Sequence, residues 1–185
     1  MFAIVEDGAI VRTASTVQKL FDYSVPDGAG IATMSEFMSQ MNVKDVINGE
    51  RKDPAYYWVT AGDITLVDGV PTQAYTSTAR KLVDEEAKDP DGNNILDADG
   101  NKRINHGLKT TMTEKVKQVA NSALTNTDWM VIRKAERDVA IPSATATYRA
   151  AVLTECARLE TAITNAADVD ALAVVMNAQD WPKEP

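Results

Sequence analysis

From residue 108 onward the apolar side chains recur at helical spacing. Leu108, Met112, Val116, Val119 and Ala123 are separated by four, four, three and four positions, which lines up one face of a helix over 108–124. Asn126-Thr127-Asp128 then offers side-chain oxygens for free backbone N–H groups. These residues predict the start of a short helix carrying Trp129, Ile132, Arg133 and Glu136, interrupted by Ile141-Pro142-Ser143. Tyr148, Val152, Cys156, Leu159 and Ile163 repeat the same spacing and predict a helix over 143–165. Asp168 is placed to cap a last helix reaching about Asn177, with Leu172, Val175 and Met176 inward, and Trp181-Pro182 ends regularity. Four helices with short joints predict a small bundle or helical hairpins.

The first half has a different rhythm. Phe2–Val5 and Ala9–Val11 flank Asp7-Gly8, and Ile64–Val67 and Val70–Tyr75 flank Asp68-Gly69. Asp-Gly between apolar runs predicts a hairpin, because a two-residue type I′ turn needs positive φ at both positions. Pro71 lacks a donor and predicts that its strand lies at a sheet edge. Thr33-Met34-Ser35-Glu36 has the spacing of a capping box and predicts a short helix over 34–41. Tyr56-Tyr57-Trp58-Val59 is aromatic and β-branched and predicts a strand. All nine glycines lie at or before Gly107, whereas alanine supplies 15 of the 66 residues from Ala120 to Pro185. The two halves therefore differ in class. The expectation is an α+β protein: a small antiparallel β-rich part over 1–83 with the helix near 34–41, an acidic turn-rich linker or hairpin over 84–105, and an all-α helical part over 106–185. No internal repeat stands out, although the two long helices share a spacing.

Charge sharpens this division. The net charge is −8 over 185 residues, and residues 84–99 alone carry seven acids against one lysine. A general nucleic-acid binder carries the opposite sign, so no nucleic-acid partner is expected. The apolar run at the N-terminus is short and lacks a basic flank, unlike a signal peptide. The longest later apolar run, Ala171–Met176, falls far short of the roughly 20 residues that span a bilayer, so no membrane partner is expected.

Catalytic chemistry has little to work with. Cys156 is the single cysteine and His106 the single histidine, which excludes a disulfide framework and a Cys-rich zinc module. His106 has no Gly-x-Ser-x-Gly nucleophile to serve, and Cys156 lies on an apolar helix face. Asp89-x-Asp91-x-Asn93 and Asp97-x-Asp99-x-Asn101 resemble the start of a calcium loop. Counting from either first aspartate, position six is not glycine and position twelve is not glutamate. Turn chemistry explains both segments. No cofactor, metal or catalytic residue is assigned. The aromatics and methionines are the candidates for partner contact, with core packing as the competing reading: Trp129, Tyr148, Trp181, and the Met34, Met38, Met41 stripe.

Thr127-Asp128-Trp129, Arg133, Ile141-Pro142-Ser143, Tyr148-Arg149-Ala150-Ala151-Val152 and Asp180-Trp181-Pro182 follow in an order that resembles the C-terminal region of tailed-phage tail-fibre-assembly and tail-assembly-chaperone-like proteins. Phe2–Val11 and Arg51–Tyr57 are similar to stretches of phage structural proteins. The resemblance covers mainly residues 108–185; the strand-rich first 105 residues depart from it. It implies a non-enzymatic virion protein of the tail, baseplate or tail fibre, made in the host cytoplasm and carried into the particle. Its partners would be other tail or virion proteins, and it would be oligomeric in the assembly. Trp129, Arg133, Tyr148, Arg149, Trp181, Met38 and Met41 are the expected partner-binding residues. The alternatives are a transient assembly chaperone absent from the mature particle and, from another class, a small glycan hydrolase.

Overall fold

A computed structural model of the chain describes residues 1–21 and 34–185. It has an α+β architecture and divides into two compact units, Met1–Thr78 and Ala79–Pro185. Thr33, the expected cap of the first helix, lies outside the described residues.

The first unit opens with a hairpin of β1 (Phe2–Glu6) and β2 (Ala9–Ala14). Its turn residues Asp7 and Gly8 have φ of 48° and 76°, the left-handed pair that a type I′ turn requires. The register slips between Ile4 and Val5, so Val11 bulges from the ladder. Two short helices follow, α1 (Val17–Phe21) and α2 (Met34–Gln40), then β3 (Val43–Asp45), which pairs antiparallel with β1 to give the order β2-β1-β3. Ile4, Leu20 and Val43 form the centre of this core, with Phe2, Ala14, Phe21 and Met38 packed around it. Phe21 and Phe37 meet edge to face at 5.2 Å. The short helix α1 had no expectation attached to it. Its signal is local: Thr16 Oγ1 accepts from Lys19 N, and Val17 and Leu20 point inward.

The second sheet joins β4 (Ile47–Asn48), β5 (Tyr57–Val67) and β6 (Val70–Ala79) in the order β4-β6-β5. Asp68 and Gly69 again take positive φ at the hairpin turn. The expected pair of strands at 56–59 and 64–67 is one continuous strand, β5. The Pro71 strand is central rather than at the edge, because β4 pairs parallel with it at Thr72 and Gln73. That contact begins one residue past the ring, so the missing N–H of Pro71 is not called upon. This parallel pair also makes the β part not wholly antiparallel.

The second unit begins with the acidic stretch, closed by β7 (Glu85–Glu86) against β8 (Ile104–Asn105). Between them the chain makes two tight loops in tandem. Asp89 Oδ1 accepts from the backbone N–H groups of Asp91 and Asn93. Asp97 Oδ1 accepts from Asp99 and Asn101 in the same way. Ala87 N donates to Arg103 O, Arg103 N to Ile95 O, and Ile95 N to Ala87 O, each at 2.8 Å. Ala87, Ile95 and Arg103 are spaced evenly along the chain, in step with the paired Asp-x-Asp-x-Asn turns, so the hydrogen-bond ring marks a short duplication.

Four helices complete the unit: α3 (Leu108–Thr125), α4 (Asp128–Arg137), α5 (Ser143–Asn165) and α6 (Val169–Asn177). The limits of α3, α5 and α6 fall within a residue of those predicted, whereas α4 stops at Arg137, short of the Ile141-Pro142-Ser143 interruption. Leu108, Met112, Val116 and Ala120 of α3 meet Val152, Leu159 and Ile163 of α5 and Leu172 of α6 in a buried core. Ala120 is inward where Val119 was expected, since Val119 is exposed. Asp168 Oδ1 accepts from Ala171 N, capping α6 as the sequence predicts. No helix among the described residues is long and apolar enough to cross a membrane.

Candidate functional site

The expected partner-binding residues fall into two groups. Tyr148, Arg149 and the residues before Trp181 tie the helices of the second unit to one another. Trp129 and Arg133 are left facing outward.

The tie begins where α3 ends. The last carbonyls of a helix have no intrahelical donors, and α5 supplies them. Tyr148, buried, donates from its hydroxyl to Ala123 O at 2.9 Å. Arg149 donates from Nη1 to Leu124 O at 3.0 Å and to Thr127 Oγ1 at 2.6 Å, and from Nη2 to Asp128 Oδ1 at 2.9 Å. A cation at a helix C-terminus is also favoured by the helix dipole. One guanidinium thus satisfies the end of α3 and fixes the acid that opens α4.

The second tie holds the C-terminal segment. Glu155 of α5 is buried, 8% exposed, and chelates Arg158 through two hydrogen bonds of 2.7 Å. It also accepts from Asp180 N at 2.8 Å, while Arg158 donates to Ala178 O at 2.9 Å. The Arg158 guanidinium, ahead of the Asp180 N–H, holds the Glu155 carboxyl below the ordinary glutamate range despite its burial. Trp181 donates from Nε1 to Gln179 Oε1 at 2.8 Å and is half-buried.

The outward group lies on α4, a helix of ten residues that buries none of them. Trp129, Ile132, Arg133, Glu136 and Arg137 share one face, at i, i+3, i+4, i+7 and i+8. They line a shallow pocket of about 330 Å³. Trp129 is 51% exposed and Ile132 57%. The Arg133 guanidinium lies over the indole of Trp129, 4.7 Å from the ring centre, a cation–π contact. Arg133 Nε is buried with no hydrogen-bond partner. The helix closes on Asp138, whose φ is 52° and whose N–H reaches Lys134 O. Ile132 and Arg137 were not singled out as site residues; their signal is the spacing they share with Trp129 and Arg133.

The methionines split similarly. Met38 packs against the core of the first unit, and Met41 is exposed.

The remaining chemical candidates are engaged structurally. His106 Nδ1 lies 3.1 Å from Asp84 Oδ2, and Asp84 Oδ1 accepts from Gly107 N at 2.8 Å. Leu108 N and Lys109 N donate to the carbonyls of Lys81 and Leu82. Residues 81–84 therefore cap α3 from outside it. Burial, and then the hydrogen bond to Glu160, push the Cys156 thiol above its ordinary value, the reverse of what a nucleophilic thiolate requires. Among the described residues no group of three or more His, Cys, Asp or Glu could hold a metal ion. Comparisons with protein families, curated proteins and solved structures find no match for the chain.

Proposed function

We propose that the chain is a non-enzymatic structural protein of a tailed-bacteriophage particle, of the tail, baseplate or tail fibre, and that it works by docking another particle protein onto α4. The observation that carries the docking reading is a helix that buries no residue yet presents Trp129 and Ile132 on one face. Tryptophan and arginine are the residue types that dominate interface energetics, and here they are already stacked. The phage assignment is supported by the ordered resemblance of Thr127-Asp128-Trp129, Arg133, Tyr148-Arg149 and Trp181-Pro182 to tail-assembly proteins.

The test is quantitative mass spectrometry of purified particles of the encoding phage, with a photo-crosslinker at Ile132. Stoichiometric presence and a cross-link to one tail or virion protein are expected. Presence only on unassembled fibres would make the chain an assembly chaperone. Absence from both, or cross-links only to host proteins, would overturn the reading.

A further inference from the structure

We infer that the segment docking on α4 is acidic and amphipathic: a large apolar side chain of the partner sits beside Trp129 and Ile132, and a carboxylate of the same segment pairs with the guanidinium of Arg133. This deepens the docking reading and rests on it.

The argument starts from Arg133. Its guanidinium carbon lies over the Trp129 ring, 4.7 Å from the centre, so the charge is placed beside the indole before any partner arrives. Its Nε has no hydrogen-bond partner, and no ion pair joins it to a carboxylate among the described residues. Buried polar atoms without partners are rare in folded proteins. With Nε covered, the terminal Nη groups are the donors that a partner carboxylate meets. Arg149, one helix away, shows the contrast: three of its donors are engaged by Leu124, Thr127 and Asp128, the last a carboxylate.

The charge of the face points the same way. Arg133 and Arg137 outnumber Glu136 around the pocket, although the chain as a whole carries −8. This is a cationic apolar spot on an acidic protein. Polyphosphate chains and anionic membranes meet the whole field of −8 and would need many more cations than two arginines beside a glutamate. A second copy of α4 would bring the same cationic face against itself. A short protein segment with one or two carboxylates beside an apolar anchor matches both the sign and the size of the pocket.

The experiment is selection of a random dodecapeptide display library on the full-length chain, in parallel with Trp129→Ala and Arg133→Gln. Both substitutions lie on a helix that buries no residue, so the fold is retained. Enriched peptides should carry Asp or Glu within one helical turn of Leu, Phe or Trp. They should lose about tenfold in affinity on Arg133→Gln, as removal of a charge-assisted hydrogen bond implies. Neutral or basic peptides, or acidic ones indifferent to Arg133→Gln, overturn the inference. If those peptides still depend on Trp129, docking at α4 stands and only the carboxylate fails. If nothing selected depends on Trp129, the inference falls, and the particle cross-link from Ile132 decides the docking reading separately. Self-association of the chain abolished by Arg133→Gln would name a second copy as the occupant and likewise overturn it.

Discussion

Gly107 stands at the start of α3 with extended backbone, φ −77° and ψ 174°, so conformational freedom does not explain the glycine. Space does: a Cβ there would lie 2.4 Å from the carbonyl carbon of Val83. The Val83 atoms it would meet are all backbone and cannot yield cheaply, so Gly107→Ala should cost about 2–3 kcal/mol in a urea melt. The aspartates of the same region make a pH-dependent prediction. Backbone donors from Gly107, Asn93 and Asn101 hold the carboxyls of Asp84, Asp89 and Asp97 below the ordinary aspartate range. A folded value below the unfolded one means that the unfolded chain binds more protons. The stabilisation is therefore full above the ordinary value of about 3.9 and is lost as pH falls through the lowered ones. Amides between 87 and 105 should lose hydrogen-exchange protection on acidification before those of α3 and α5 do. At neutral pH Asp97→Ala should open the second loop alone. Asp97→Asn, which keeps the accepting oxygen, should leave it closed and blunt its response to acid.

α4 and its joint behave as separable parts. Trp129→Asp should leave the melting curve within about 0.5 kcal/mol, because no residue of the helix is buried, while abolishing the Ile132 cross-link to a particle protein. Arg149→Ala should have the opposite profile. It removes bonds to Leu124, Thr127 and Asp128, which should cost about 2–3 kcal/mol and expose the amides at the end of α3. The same contrast shows what could be read in advance. Helical limits were legible wherever a continuous apolar face met a core, as from Tyr148 to Ile163. The division of the Thr127-to-Tyr148 signature into tying and outward residues was not. Trp129 and Tyr148 are both aromatic, and only the placement of α4 away from the core separates them. Pro71 misled for a related reason: its ring forbids one hydrogen bond, and whether that bond is needed depends on where β4 lands.

At the scale of the whole chain, 79–185 holds its own core, caps and clasp. The buried side chains of α3, α5 and α6 pack on one another, residues 81–84 supply the acceptors for the start of α3, and Glu155 secures the end through Arg158 and Asp180. The acidic stretch expected as a linker or hairpin closes as a hairpin of β7 and β8; Asp84 at its start joins Lys81 and Leu82 in capping α3, and Asp89 and Asp97 form its turns. A fragment of residues 79–185 should therefore fold alone, with a cooperative melt and the amide shifts of the full chain. Cutting instead at 106, which follows the change in composition, removes the Lys81, Leu82 and Asp84 acceptors, and that shorter fragment should melt earlier or not cooperatively. Equal stability of the two fragments would show that the cap contributes nothing. A 79–185 fragment without a cooperative melt would show that the helices need residues 1–78.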